Sequence, residues 1–187
     1  MKYSCIFPGV LLIGLAFFGT GCGQKKEAVP AMHVLQEQSA AVKVVLSAED
    51  FDGLTAPMRI ETNSGASSGK AIRIPAKLPV DAPLTGQAKA SVMVPEAGHY
   101  TIWFRVRWTG TCANSFTLSM PGFPDLTIGE DGNFDTWHWI KAPGPFNLKA
   151  GETTFTLKQR EEDIWVDQVL LTKDASMIPN GIISDTR

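Results

Sequence analysis

Cysteine is scarce in this chain. There are three in 187 residues, Cys5, Cys22 and Cys112. So few thiols, so placed, supply no disulfide framework. No Cys/His spacing suited to zinc occurs either. Histidine is nearly as rare, limited to His33, His99 and His138. Neither sign of charge dominates, with 17 basic and 19 acidic residues and a net charge of −2. Nothing in that balance suggests a nucleic-acid binder, which would show a basic patch or stripe. Long apolar runs are missing as well. Ile6 to Phe18, broken by Pro8, Gly9 and Gly14, is shorter than the roughly 20 residues a membrane helix needs. Convincing helical periodicity and internal repeats are also absent. We find no nucleophile elbow and no phosphate-cradling glycine loop. The charge run Glu161-Glu162-Asp163 is expected to be a solvated loop. The chain is therefore expected not to be an enzyme.

What is present at the N-terminus is a leader. Lys2, the apolar stretch and the small residues Gly19-Thr20-Gly21 have the layout of a secretory signal. Followed by Cys22, they resemble a bacterial lipoprotein signal spanning 1–21. That resemblance makes Cys22 the lipid attachment residue and the chain an exported, membrane-anchored protein of the cell envelope. Gly23 after Cys22, where Asp would retain an enteric lipoprotein at the inner membrane, favours the outer membrane. Residues 22–41 are small and polar and form an expected tether. With Cys5 in the leader and Cys22 lipidated, Cys112 stands alone and is expected to be a small buried residue.

From residue 42 onward the pattern is one of period two. Gly98 to Trp108 is the clearest case. Tyr100, Ile102, Phe104, Val106 and Trp108 fall on one face, and Thr101, Trp103, Arg105 and Arg107 on the other. Such alternation is a strand with one buried face. A Trp between two Arg is an unusual solvent face, so something must pack or bind there. Similar segments occupy 42–46, 58–61, 70–74, 87–94, 114–120, 125–128, 136–140, 146–148, 153–158 and 164–172, separated by Gly, Pro, Asn and Asp. We expect nine or ten short strands in a single antiparallel sandwich over 42–175, with an irregular tail at 176–187. Alternation fails at Val169-Leu170-Leu171, which calls for a bulge or burial on both faces. At least one of Trp137 and Trp139 is expected in the core.

Four stretches appear in a particular order: Ala48-Glu49-Asp50-Phe51; Pro95-Glu96-Ala97-Gly98-His99-Tyr100 leading to Arg105; Leu148-Lys149-Ala150-Gly151; and Asp167-Gln168-Val169-Leu170-Leu171. Together they resemble the galactose-binding-like jelly rolls, especially carbohydrate-binding modules of families six and thirty-five. The resemblance implies an all-β, antiparallel β-sandwich that binds a polysaccharide or glycan without catalysis. It implies a structural calcium ion held by Glu49 and Asp167, the family's first carboxylate being replaced here by Ser47. It places the sugar site in end loops, with Trp165 as stacking platform; the related modules' Asn before the last strand is replaced here by Asp163-Ile164, and Asn114, in the loop after the Gly98–Trp108 strand, is the candidate for amide contacts. Trp103, flanked by Arg105 and Arg107, offers a second platform, and Trp139 a further candidate, because sugar faces stack on indole rings. Arg105 matches the family arginine, which is more often scaffold. The alternative function is a structural or protein-interaction module of the envelope, with the aromatics at an interface.

Overall fold

The computed structural model describes residues 42–184. The leader, Cys22, His33 and the tether to residue 41 lie outside the described residues, as do the last three of the tail. Eleven strands form: β1 (Lys43–Ser47), β2 (Arg59–Thr62), β3 (Lys70–Ile74), β4 (Gln87–Val94), β5 (Gly98–Arg107), β6 (Ser115–Ser119), β7 (Leu126–Gly129), β8 (His138–Lys141), β9 (Phe146–Leu148), β10 (Gly151–Lys158) and β11 (Ile164–Thr172). The count is above the nine or ten expected because the weak segments at 58–61, 125–128 and 146–148 all pair. One 3-10 turn, Ala48–Asp50, follows β1, and no α-helix occurs among the described residues. None of their helices is long and apolar enough to cross a membrane.

The strands form two antiparallel sheets facing each other. The large sheet has seven strands in the order β2-β3-β11-β5-β8, with β1 also on β11 and β9 also on β5. The small sheet has four, β4-β10-β6-β7. β11 and β5 are the long central pair. β3 and β1 share one edge of β11, pairing with Ile164–Val166 and Gln168–Thr172 in turn. β8 and β9 share the far edge of β5.

The core lies where the period-two pattern placed it. Tyr100, Ile102, Phe104, Val106 and Trp108 are essentially inaccessible, as are Ala88, Ala90, Val92 and Val94 of β4 and Phe155 and Leu157 of β10. The layers interlock through aromatic edges: Phe104 meets Phe116 at 5.2 Å and 76°, and Trp108 meets Phe116 at 6.2 Å. Emptying such a site costs about 3–5 kcal/mol per aromatic ring. The Pro95–Gly98 turn is tied by the Tyr100 hydroxyl, which donates to Glu96 O at 2.8 Å. Gly129 is required by close approach: its φ is +139°, and a Cβ there would lie 1.9 Å from Asn114 O.

β11 is buried along its whole length. A bulge between Val166 and Gln168 adds one residue, Asp167, opposite β5. Burial on both faces accounts for Val169–Leu171, and the bulge falls just before them, at Asp167.

Candidate functional site

Three surfaces compete as binding sites: the outer face of the large sheet, the loop end near Asn114, and a depression at the opposite end.

The outer face carries Trp103, Arg105 and Arg107 of β5, Trp165 and Leu170 of β11, and Trp139 of β8. It is not open. The β2–β3 loop, 63–69, folds across it. Its turn is closed by Asn63 N donating to Gly69 O at 2.9 Å and Gly65 N donating to Asn63 Oδ1 at 3.0 Å. The bulge residue Asp167, 1% exposed, anchors this roof. Its Oδ1 accepts from Ser67 N at 2.9 Å and Ser67 Oγ at 2.8 Å, and its Oδ2 accepts from Arg105. Arg105 also donates to Gly65 O at 3.1 Å and lies 4.9 Å above the Trp137 ring. Gly65 fits beneath Trp137 because it has no Cβ, which would come within 2.6 Å of the indole nitrogen.

Trp165 sits in the same small cluster with Ala66, Ala71 and Trp137, is 8% exposed, and is covered by the Arg73 guanidinium at 4.5 Å. It has no free face for a sugar, which corrects its expected role as platform. Arg105, 7% exposed, is scaffold. Trp137 and Trp139 both lie on this outer side rather than in the core. The register shows why for Trp139: it pairs with Arg105, while its neighbour Ile140 pairs with core Phe104. Trp103 is half-buried beside Lys141, whose ammonium is 5.8 Å from its ring. Trp139 is half-buried too, its indole N–H donating to Gly181 O at 2.8 Å. The irregular tail thus covers the rest of this face.

Arg73 links β3 to β2 and to the β10–β11 loop. It bonds Glu61 at 3.0 Å and Asp163 at 2.9 Å, and Glu61 also takes Arg59. Partial burial pushes the Glu61 carboxyl up, but the Arg73 and Arg59 guanidiniums outweigh it and hold Glu61 below its usual range.

The loop end is built from the β3–β4, β5–β6 and β10–β11 connections. They surround a depression of about 360 Å³ lined by Leu78, Val80, Leu84, Cys112, Arg160 and Glu162 among others. Its polar groups are already engaged. Glu161 accepts from Asn114 N at 2.8 Å and Arg160 at 3.0 Å, Glu162 from Leu78 N at 2.7 Å, and Gln159 Oε1 from Gly86 N at 3.1 Å. The charge run expected to be solvated therefore stitches three loops together. Asn114 is 8% exposed, with Oδ1 buried and unpartnered, so it does not present an amide to a ligand. Cys112 is exposed at the tip of a turn closed by Ala113 N donating to Gly110 O at 3.0 Å, not buried as expected.

The third surface was not foreseen. The β6–β7 turn and the β9–β10 hairpin enclose a depression of about 460 Å³ lined by Pro121, Phe123, Asn147, Lys149, Glu152 and Thr153 among others. Phe123 is half-buried, packed on the core, and held edge-on against buried Phe146 at 5.5 Å. The side chains of Asn147, Lys149 and Glu152 are exposed and make no hydrogen bond or ion pair with any described residue. An aromatic edge beside free donors and acceptors is the composition that orients a sugar. A Phe after Pro-Gly carries no periodic signal, so the sequence alone did not single it out.

The calcium expectation fails a test of fit. Asp167 already satisfies both oxygens with Arg105 and Ser67, and Arg105 brings a positive charge where the cation would sit. Glu49 is exposed, and no group of three His, Cys, Asp or Glu suited to a metal exists among the described residues. No nucleophile paired with a histidine is built among the described residues either. Gly65-Ala66-Ser67-Ser68-Gly69 does have the Gly-x-Ser-x-Gly spacing, contrary to expectation, but it joins two strands instead of a strand and a helix. The Ser67 hydroxyl donates to Asp167, not to a histidine.

No protein-family model matches the chain, and no curated protein matches it. Solved structures do. A family 35 carbohydrate-binding module from Clostridium thermocellum is similar at 21% identity and TM-score 0.52, over 70% of this chain and 98% of that one. The C-terminal CBM6 of a Zobellia galactanivorans laminarinase is similar at 17% identity and TM-score 0.53, over 71% and 100%. A Podospora anserina GH26-CBM35 β-(1,4)-mannanase is similar at 16% identity and TM-score 0.56, over 73% of this chain but 29% of the enzyme. The neighbours matched over nearly their whole length are carbohydrate-binding modules. At these identities the likeness establishes the fold: an all-β jelly-roll sandwich of two antiparallel sheets.

Proposed function

We propose that this domain binds a polysaccharide without catalysis, at the depression beside Phe123. One observation carries the reading. Asn147, Lys149 and Glu152 are unengaged around a cavity of about 460 Å³ whose wall carries Phe123, packed on Phe146, while the sheet face and the loop end spend their groups on the chain itself. Phe123 would pack against the apolar face of a sugar ring, and the three polar side chains would bond its hydroxyls. The jelly-roll neighbours, one of them a Cellvibrio mixtus module in complex with cellotriose, support carbohydrate as the ligand class. The engaged carboxylates at Glu161, Glu162, Asp163 and Asp167 support a non-catalytic role. With Cys22 lipidated, the domain would hold a glycan at an envelope membrane, the outer one by the Gly23 rule.

Affinity electrophoresis and a glycan array test this. Retention on at least one polysaccharide, reduced tenfold or more by Phe123→Ala, is expected. Absence of retention on every polysaccharide refutes it. A second reading, a protein-interaction module, is favoured by Val80 and Leu84, 107% and 65% exposed at the lip of the loop end. It predicts a partner lost with Leu84→Ser and kept with Phe123→Ala.

A further inference from the structure

Beyond the strands, residues 177–184 cross the outer face of the large sheet as open chain with no ladder. They are held through backbone hydrogen bonds at Gly181 and Ile183 and through the buried ring of Pro179. The Gln168 carboxamide, on a side chain 2% exposed, donates from Nε2 to Ile183 O at 2.8 Å and accepts from Ile183 N at 3.1 Å. Trp139 donates to Gly181 O at 2.8 Å. Pro179 is buried. Gly181 has φ +60°, a bend that favours glycine. The Ile178 and Ile182 side chains instead face outward, 82% and 51% exposed.

This is the geometry of peptide recognition. A side-chain amide facing both the N–H and C=O of one residue reads a backbone, whatever its side chain. The groove asks for a buried Pro, a Gly that can bend and a peptide unit opposite Gln168. Ile178 and Ile182 contribute little to holding it, and segments without a ladder are drawn from the low-stability end of a fold. When it leaves, buried Gln168 and the Trp139 N–H lose their partners, and the Trp103 N–H, buried and unpartnered already, stays unmet. Those deficits favour refilling by the same pattern of residues.

We propose that the outer face of the large sheet is a peptide-docking groove, which this chain fills with its own Pro179–Ile183 segment and which a second copy of the chain can fill by exchange. The second copy is the occupant because its segment has the complementarity already seen in the groove. The proposal is independent of the sugar site.

Two full-length variants separate groove from segment. Pro179→Asp with Gly181→Val spoils the segment and leaves the groove. Gln168→Leu with Trp139→Phe spoils the groove and frees the segment. Mixed in equal amounts, they are expected to form a one-to-one heterodimer by light scattering, while each alone stays monomeric. If the groove variant does not fold, a labelled peptide of residues 177–184 replaces it. The segment variant should bind that peptide at least tenfold more tightly than the wild-type chain, whose own segment competes at high effective concentration. A folded segment variant that forms no heterodimer with a folded groove variant overturns the second-copy occupant. One that also fails to bind the peptide overturns the groove.

Discussion

Arg105 and Asp167 form a buried ion pair on the outer face of the sandwich, 8% and 0% exposed in their side chains. They sit on adjacent strands, and the β11 bulge creates the pair by adding Asp167 opposite β5. Around this pair, the β2–β3 loop is pinned over the sheet.

Removing one member leaves a buried charge. Asp167→Ala should destabilise the domain by about 3–5 kcal/mol. The double variant Arg105→Met/Asp167→Leu should recover much of that loss, because no lone charge remains. Urea unfolding of the singles and the double measures the difference, and an Asp167→Ala variant as stable as wild type would show the roof is not anchored there.

Chelation should leave the melting temperature unchanged, since Arg105 occupies the charge role a calcium ion would play at Asp167. A calorimetric scan with EDTA and with added calcium checks this. A shift of several degrees on adding calcium would reopen the site.

Glu61 sets a modest acid dependence. Its carboxyl is held below the ordinary value of 4.5, so folding binds fewer protons there than unfolding does. Its contribution is fully present above the unfolded value and is lost as pH falls through the lower folded one. Because the group is 23% exposed, the effect is expected to be below about 1 kcal/mol. Glu61→Gln should flatten the stability curve below about pH 4.5, and identical curves for the two proteins would exclude the contribution.

Gly129→Ala should cost about 3 kcal/mol, the upper end for overpacking, because both φ and the Asn114 carbonyl oppose a Cβ. Gly122→Ala, also at positive φ but with open space around it, should cost less. Thermal unfolding of the pair separates clash from backbone strain.

Trp139→Phe and Trp165→Phe should leave polysaccharide retention within about twofold, well under the tenfold that 1.4 kcal/mol represents. Both rings serve cover rather than ligand. Loss of retention in either variant, with the fold intact, would return the sugar site to the sheet face.

The sequence by itself determined the sandwich. Alternation in β4, β5, β6 and β10 names the buried face, because a strand has only two faces and the apolar one must leave water. The break at Val169–Leu171 pointed to a bulge or burial on both faces of β11, and Arg105 was legible as scaffold only through its match to the family arginine. Only the tertiary structure decided what covers the other face. Whether Trp103, Trp139 and Trp165 are platforms or packing depends on where 63–69 and 177–184 come to rest. Those segments are Gly-, Ser- and Pro-containing open chain, held by single side chains such as Asp167 and Gln168. No periodicity encodes such contacts, which join residues 100 apart in the case of Ser67 and Asp167. The Phe123 depression is hidden for the same reason: it exists only because the β6–β7 turn and the β9–β10 hairpin meet in space.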